Sequence, residues 1–346
     1  MRLQGLICVL ALAGNLGGCS SIGYYYQAVE GQMQIWKRSR PIADVIEDEK
    51  TPAAMRSRLE MVLRVRDFAS ADLALPDNGS YRSYADLGRP FVVWNVFAAP
   101  ELSLVPQEWC FFFAGCVTYR GYFNQARADQ FSEELRSKGL DVYVGGVPAY
   151  STLGWLDDPL LNTVMPYPDA ELARLIFHEL AHQVVYVSDD TLFNESFATA
   201  VEREGIERWL AREGDAAMRA AFEQHEARKT AFIALMMETR GRLSALYASG
   251  ASDVDKRREK ATTFAALKSQ FQTLKAAWGG YTGYDRFFAQ ELSNAHLVPI
   301  ATYSELVAGF RSLLADNDGD FNRFYIAVRE IGKLPVAQRR AKLKAD

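Results

Sequence analysis

The sequence predicts an α+β fold that is predominantly helical, with a small mixed β-sheet beside a helix that carries His178-Glu179-Leu180-Ala181-His182. Apolar residues recur at helical spacing through long stretches at both ends of the chain. The centre, over residues 91–144, instead has short runs rich in aromatic and β-branched residues, bounded by Gly or Pro. With 346 residues, 49% hydrophobic and 24% charged, the chain can bury one large core or two modest ones.

The first 18 residues have the pattern of a secretion signal. A positive start at Met1-Arg2 precedes an apolar run at residues 6–13, which is too short to span a membrane, and small residues then lead to Cys19. This pattern resembles a bacterial lipoprotein signal, which implies cleavage before Cys19, acylation of that cysteine and a membrane tether through its lipid. Ser20-Ser21 lacks the aspartate that, by resemblance to enterobacterial lipoproteins, implies inner-membrane retention, so the expected location is the periplasmic face of the outer membrane. A plain secretory signal and an uncleaved anchor are the alternatives.

Residues 19–90 form the predicted N-terminal helical segment. Apolar side chains recur there at helical spacing, which predicts helices with one buried face. The expected buried stripe consists of Met55, Leu59, Val62, Leu63 and Phe68.

Residues 91–210 are expected to form the core that carries the functional site. Aromatic and β-branched runs in its first half predict strands, and residues 124–138 have a helical pattern that ends before Gly139. A small sheet therefore precedes the motif helix. The predicted strands cover residues 91–97, 109–119 and 141–144.

Cys110 and Cys116 are the cysteines that remain once Cys8 and Cys19 are set aside with the signal. In an oxidising compartment the pair can form a disulfide. A fully extended strand would hold them roughly 20 Å apart, so a bridge requires a turn at Phe113-Ala114-Gly115. The alternative is two buried thiols in an aromatic core. A zinc role is not expected, because no histidine is nearby.

The motif helix has the residues of a catalytic zinc site. Residues four apart lie on one helical face, so His178 and His182 can present two imidazoles to one metal ion. Glu179 lies beside them, where a carboxylate can take the proton of a zinc-activated water molecule as general base. A catalytic zinc normally has three protein ligands, so a third must come from elsewhere. The pattern predicts one Zn²⁺ per chain.

A helical hairpin is expected to supply the third ligand. Asp169 is the predicted N-cap of the first helix, which runs to about Val187, and Ser188–Thr191 provides a turn with a second N-cap. At about 1.5 Å per residue, His182 lies roughly 7 Å before the turn and Glu195 roughly 6 Å after it. The two residues then stand at a similar level on antiparallel helices, and Glu195 is the predicted ligand.

Residues 211–346 are expected to form a C-terminal helical lobe. Charged, Ala-rich stretches at residues 211–248 and 253–278 predict an antiparallel helix pair. His225 is expected to be exposed on its helix. Arg339-Arg340 is expected to belong to a frayed basic tail, with contact to anionic lipid head groups as the alternative.

The charge balance argues against nucleic acid as a partner. The net charge is −4, so no basic excess is available to neutralise phosphates.

Several motifs together resemble known metallopeptidases. The motif His178–His182 followed by Asn194–Ala198 resembles the gluzincins, in which the second-helix glutamate is the third zinc ligand; Asn194–Ala198 is also similar to the NEGFA of zinc aminopeptidases. The spacer of 12 residues between His182 and Glu195 is shorter than in the large aminopeptidases. Other segments resemble bacterial lipoproteins described as predicted aminopeptidases; these are Tyr119–Phe123, Ala149–Trp155, Asp158–Leu160, His178–Gln183 and Phe193–Thr199. The resemblance implies a zinc peptidase acting on peptide or protein substrates.

Contacts to substrate are expected from three groups of residues. In gluzincin sites an edge strand holds the substrate backbone, and residues 147–154, with Ser151 and Gly154, are placed to do so. Exopeptidase action would also need a carboxylate for the free α-amine, for which Asp157 and Asp158 are candidates. A donor must stabilise the oxyanion of the tetrahedral intermediate. The candidate donors are Tyr122, Tyr281, Tyr284, His296 and Tyr303.

Two other functions fit the same residues. The first is a zinc endopeptidase acting on envelope proteins. The second is a non-enzymatic lipoprotein in which the hairpin binds structural zinc and the helical lobe binds a partner. Structural zinc usually has four protein ligands, often cysteines, and none stand near the motif in the sequence.

Overall fold

The computed structural model describes residues 18–111, 115–149, 151–188, 190–302 and 306–344. This part of the chain contains twelve α-helices and small sheets, which confirms a predominantly helical α+β fold. The signal at residues 1–17 and the candidate Tyr303 lie outside the described residues, and the side chain of Cys19 is likewise not described. None of the helices in these ranges is long and apolar enough to cross a membrane.

The helices are α1 Gly18–Arg38, α2 Ile42–Glu47, α3 Ala53–Leu73, α4 Gln125–Ser137, α5 Asp169–Val184, α6 Thr191–Glu213, α7 Ala216–Ala248, α8 Asp253–Ala277, α9 Asp285–Phe288, α10 Val307–Asp316, α11 Phe321–Gly332 and α12 Val336–Leu343. The strands are β1 Ser39–Pro41, β2 Ser83–Ala85, β3 Val93–Pro100, β4 Trp109–Phe111, β5 Gly115–Val117, β6 Arg120–Tyr122, β7 Leu140–Val147 and β8 Leu160–Leu161. Short 3-10 turns follow β8 and α9.

The strands form three small sheets. In the first, β3 lies between β6 and β7 and is antiparallel to both. In the second, β2 pairs antiparallel with β1 and parallel with β8, so the sheet is mixed. The third is the β4–β5 pair, in which Cys110 lies opposite Cys116 and forms a disulfide with it. The strand expected at residues 109–119 is therefore two strands that pair with each other.

The largest core joins both ends of the chain around the α5–α6 hairpin. Helix α3 packs against it with the expected stripe, in which Leu59, Val62 and Phe68 are buried. Helices α10, α11 and α12 pack there too. Gly205 lets α6 pack closely against α3 and α5, because a Cβ atom at this position would lie 2.8 Å from Leu73 Cδ1 and 2.9 Å from Phe177 Cδ2.

A second core lies between α7, α8 and α9. Phe232 and Met236 of α7 pack there with Phe271 of α8, whose ring stacks on Phe288 of α9 with centroids 3.8 Å apart. Because α10, α11 and α12 belong to the first core, residues 211–346 contribute to both cores.

The expectation of a frayed basic tail is wrong. Arg339 and Arg340 lie in α12, and both donate to the carboxylate of Asp190, which precedes α6. The carboxylate of Asp190 is buried, and the two guanidinium groups compensate its charge. The C-terminal helix is thereby fixed to the turn of the α5–α6 hairpin.

Candidate metal centre

Helix α5 buries one face and presents the motif on the other. Ile176, Phe177 and Leu180 are fully buried in the main core. Asp169 is the first residue of the helix and not its N-cap, which is Pro168. The Asp169 carboxylate pairs with Arg58. Its negative charge also interacts favourably with the positive N-terminal end of the helix dipole.

The turn between α5 and α6 is closed by the asparagine that precedes Glu195. Asn194 is buried; its Oδ1 accepts from Val187 N and its Nδ2 donates to Val187 O, each at 2.8 Å. Asp190 caps α6 by accepting from Phe193 N at 3.1 Å. These bonds replace partners that a helix end lacks, and they fix the position at which Glu195 faces α5.

The structure brings His178, His182 and Glu195 together. The two histidine Nε2 atoms are 3.1 Å apart, and the carboxylate oxygens of Glu195 lie 3.4 Å from Nε2 of His178 and 3.7 Å from Nε2 of His182. Ligands about 2.0–2.1 Å from a tetrahedral zinc ion stand about 3.3 Å from one another. The three side chains therefore fit a zinc ion, with a fourth position left for water or substrate.

Glu202 is a site residue that the sequence analysis missed. Its Oε2 atom lies 2.8 Å from His178 Nδ1, and its Oε1 atom accepts from Arg174 at 3.1 Å. A carboxylate at Nδ1 favours the tautomer in which Nε2 is free to bind a metal. The spacing was visible in the sequence, because Glu202 follows Glu195 by two helical turns and Arg174 precedes His178 by four residues.

Arg174 connects this centre to α7. Besides Glu202 it binds Glu171 at 2.6 Å and lies 3.5 Å from Glu226. His225 Nε2 stands 3.3 Å from Glu171, so the half-buried His225 is not the exposed helix residue that we expected.

Charge is unevenly distributed over the two histidines. Burial lowers the pKa of His178, but Glu202 and Glu195 outweigh it and raise this pKa to about 10. Burial and the neighbouring His178 lower the pKa of His182 to about 4. Despite burial, His178 lowers the pKa of Glu195, and His178 with Arg174 lowers that of Glu202 to about 2. The centre thus holds ionised carboxylates around His178, and this arrangement favours the binding of a cation.

Glu179 has the properties of a proton acceptor near neutral pH. Burial raises its pKa to about 7, against the opposing effect of His178. Glu195 and Asp158 contribute to the same upward shift. A base with a pKa near the working pH transfers protons efficiently in both directions.

Among the candidate oxyanion donors, Tyr122 does not reach the centre. Its ring is buried beside Tyr24 and Phe131, on the side of the sheet that α4 covers. Tyr119, from the same segment, has an exposed side chain; desolvation of its hydroxyl group and, after it, the charge of Glu195 raise the pKa of this hydroxyl. Tyr122 lies within β6 whereas Tyr119 precedes that strand, and only the fold shows which of the two is close to Glu195.

His296 and the two C-terminal tyrosines are also elsewhere. His296 is buried; its Nδ1 accepts from Ser293 N at 3.1 Å, and its ring packs on Tyr143 with centroids 4.4 Å apart. Tyr284 stacks on Phe232 in the second core, and Tyr281 lies against the Arg228 guanidinium. These three residues stabilise the fold.

The segment expected to hold substrate as a strand is largely a turn. Strand β7 ends at Val147, and Leu153 and Gly154 take left-handed conformations with φ of 56° and 81°. Gly154 packs on the side chain of Gln183, which directly follows His182. Ser151 Oγ donates to Asp158 at 3.3 Å, so its contact is to the fold. The described residues 151–154 therefore do not form the edge strand that we expected.

These features define an α+β chain with a candidate catalytic metal centre of two histidines and one glutamate. The profile of the family described as "Putative aminopeptidase" matches residues 23–343. The chain belongs to this family. No curated protein and no solved structure matches it.

Proposed function

We propose that this chain is a zinc-dependent aminopeptidase. The observation that carries the proposal is the convergence of His178, His182 and Glu195 at distances that suit one zinc ion, with Glu179 beside them. The family to which the chain belongs supports peptide substrates. A structural zinc site is disfavoured, because three protein ligands leave a position open to solvent.

The reaction is the addition of water to a peptide bond. When bound, zinc acts as a Lewis acid that polarises the scissile carbonyl and makes water more acidic. Glu179 accepts the proton of the attacking water as its oxygen bonds to the carbonyl carbon. Glu179 then gives this proton to the leaving nitrogen as the C–N bond breaks. Glu202 holds His178 in one orientation throughout.

The oxyanion of the tetrahedral intermediate needs a donor from the protein. Tyr119 is our candidate, since its hydroxyl has Glu195 as an electrostatic neighbour and is kept protonated by its raised pKa. A phenol in this place can donate a hydrogen bond to the developing negative charge.

The cell envelope is the proposed location. The support is the lipobox-like sequence that ends at Cys19, together with a cysteine pair, Cys110–Cys116, that is oxidised. Metabolic labelling with a fatty-acid analogue tests the tether. We expect label on the wild-type chain and none on Cys19→Ala, and equal labelling would contradict it.

Digestion of a peptide library tests the activity. The protein is stripped of metal, reloaded with Zn²⁺ and compared with Glu179→Gln, which keeps the metal ligands. We expect release of single N-terminal residues by the zinc form, and loss of at least about 100-fold in Glu179→Gln, because general-base catalysis contributes on this scale. Products cut only at internal bonds would favour an endopeptidase. Zinc-independent cleavage, or equal cleavage by both proteins, would refute the proposal.

A further inference from the structure

A bulky residue occupies a strained position close to the metal helix. The bond from Arg82 N to Gly79 O, at 3.1 Å, closes a turn whose third residue is Tyr81. Tyr81 has φ of 61°, in the left-handed region that favours glycine at this position of a turn. Such backbone costs on the order of 1 kcal/mol and persists only where the surroundings impose it.

Two long side chains impose this conformation. Arg66, which is fully buried, donates to Ser80 O at 2.9 Å and to Asn78 O at 3.2 Å. Gln183 accepts from Asn78 Nδ2 at 2.8 Å and donates to Ser80 Oγ at 3.2 Å. Because Gln183 directly follows His182 on α5, the turn is attached to the helix that carries the metal ligands.

The Tyr81 hydroxyl group has no hydrogen-bond partner within the ranges that the structure describes, although the residue is only 4% exposed. The two largest charges acting on it are Glu179 and Asp158, which add to burial in raising its pKa. A phenol hydroxyl group that no protein atom binds can accept a hydrogen bond from a ligand.

Asp158 lies directly beside Tyr81. Its carbonyl oxygen accepts from Tyr81 N at 2.7 Å, and the residue is 2% exposed. Its carboxylate accepts from Thr152 N at 2.8 Å and from Ser151 Oγ at 3.3 Å. Within the described residues no basic side chain pairs with it, and burial raises its pKa. A buried carboxylate with neutral partners alone leaves negative charge uncompensated.

The charges around Asp158 and the Tyr81 hydroxyl group favour the binding of a cation. Asp158 and Glu179 would repel an oxyanion or a C-terminal carboxylate, whereas an ammonium group can bind a carboxylate and a hydroxyl together. We infer that Asp158 and the Tyr81 hydroxyl bind the terminal α-ammonium group of the peptide substrate. This inference rests on the proposed function and deepens it, because it names the group that restricts cleavage to the first peptide bond.

The test compares one short peptide with its N-acetylated form, using the full-length, zinc-loaded chain. Asp158→Asn keeps an acceptor for Thr152 N but removes the charge, and Tyr81→Phe keeps the ring but removes the hydroxyl. Asp129→Asn is the matched control, because Asp129 is an exposed aspartate on α4. For the free peptide we expect kcat/KM to fall roughly 10- to 100-fold in both test variants, mainly through KM. The control should keep the wild-type value.

The acetylated peptide provides the readout that a purely structural role would not move. It lacks the charge, so its slow cleavage should be the same in wild type and both variants. Equal losses for both peptides, or no loss for either, would overturn the inference while zinc-dependent cleavage by the wild type stands. If Asp158→Asn does not fold, Tyr81→Phe decides alone. A wild type without zinc-dependent cleavage removes both the inference and the proposed function.

Discussion

The imidazole of His178, on α5, lies between two carboxylates of α6, with Nδ1 2.8 Å from Glu202 and Nε2 3.4 Å from Glu195. One ring thus contacts both a candidate metal ligand and the residue that orients it. His182 has no such support, since its Nδ1 atom is buried without a partner among the described residues. The two histidines of the motif are therefore unequal.

Removing the support of His178 is expected to weaken metal binding. Glu202→Ala should lower zinc affinity by about 10- to 100-fold, as is typical when a carboxylate behind a metal-bound histidine is lost. Competition with a chromophoric chelator measures the affinity. Glu204→Gln is the control, because Glu204 lies on the same helix and pairs with Arg208. Equal zinc affinity in wild type and Glu202→Ala would show that the hydrogen bond does not act on the metal.

The closure of the hairpin turn should contribute to stability. Asn194→Ala removes both bonds to Val187 and leaves the N–H and C=O groups of this half-buried residue without these partners. We expect the free energy of unfolding to fall by about 1–3 kcal/mol, measured by chemical denaturation. Thr191→Ala, at an exposed position of the same turn, should change it by less than about 0.5 kcal/mol. An unchanged denaturation midpoint for Asn194→Ala would contradict this.

The position of Tyr119 predicts a kinetic effect. If its hydroxyl donates to the oxyanion, Tyr119→Phe should lower kcat by about 100-fold or more with little change in KM, because that bond forms only in the transition state. Tyr122→Phe serves as the control, since Tyr122 packs under α4. Similar kcat values for Tyr119→Phe and wild type would assign the donor to another residue.

The lowered pKa of His296 predicts that the stability of the protein depends on pH. Burial, with smaller effects from Lys268 and Arg136, lowers its pKa from 6.5 to about 4. Between these values the unfolded chain binds a proton that the folded chain does not. The contribution of His296 to stability is therefore complete above pH 6.5 and is lost as the pH falls towards 4, by up to roughly 3 kcal/mol.

Denaturation of wild type and His296→Gln across pH 4–7 measures this effect. The difference in unfolding free energy between the two proteins should change with pH in this window, since glutamine does not titrate. A constant difference would show that His296 is protonated alike in both states.

The sequence was most informative where the relevant contacts are local. The pairing of His178 with His182 follows from helical spacing, and the placement of Glu195 follows from a short turn whose polar residues can be recognised. Glu202 has the same helical spacing, so its position near His178 could have been predicted from the sequence. The sequence also indicated the strand segments, although it merged β4 and β5, because the residues between them contain no Pro or Asn-Gly signal.

The features that the sequence did not predict depend on contacts between distant parts of the chain. His296 looked like a donor and is a buried structural residue, since its ring meets Tyr143 from a strand about 150 residues earlier. The sequence did not indicate Tyr81, because neither its strained φ nor its neighbours Glu179 and Asp158 can be predicted from adjacent residues. The partition of the C-terminal helices between two cores is likewise set by tertiary packing.

The bonds from Arg339 and Arg340 to Asp190 bear on the order in which the protein is built. The turn that presents Glu195 depends for its charge compensation on a helix near the end of the chain. A nascent polypeptide that has emerged only as far as α11 still lacks these two arginines. The turn that presents Glu195 therefore gains this charge compensation only once the last helix has been synthesised, after the remainder of the main core.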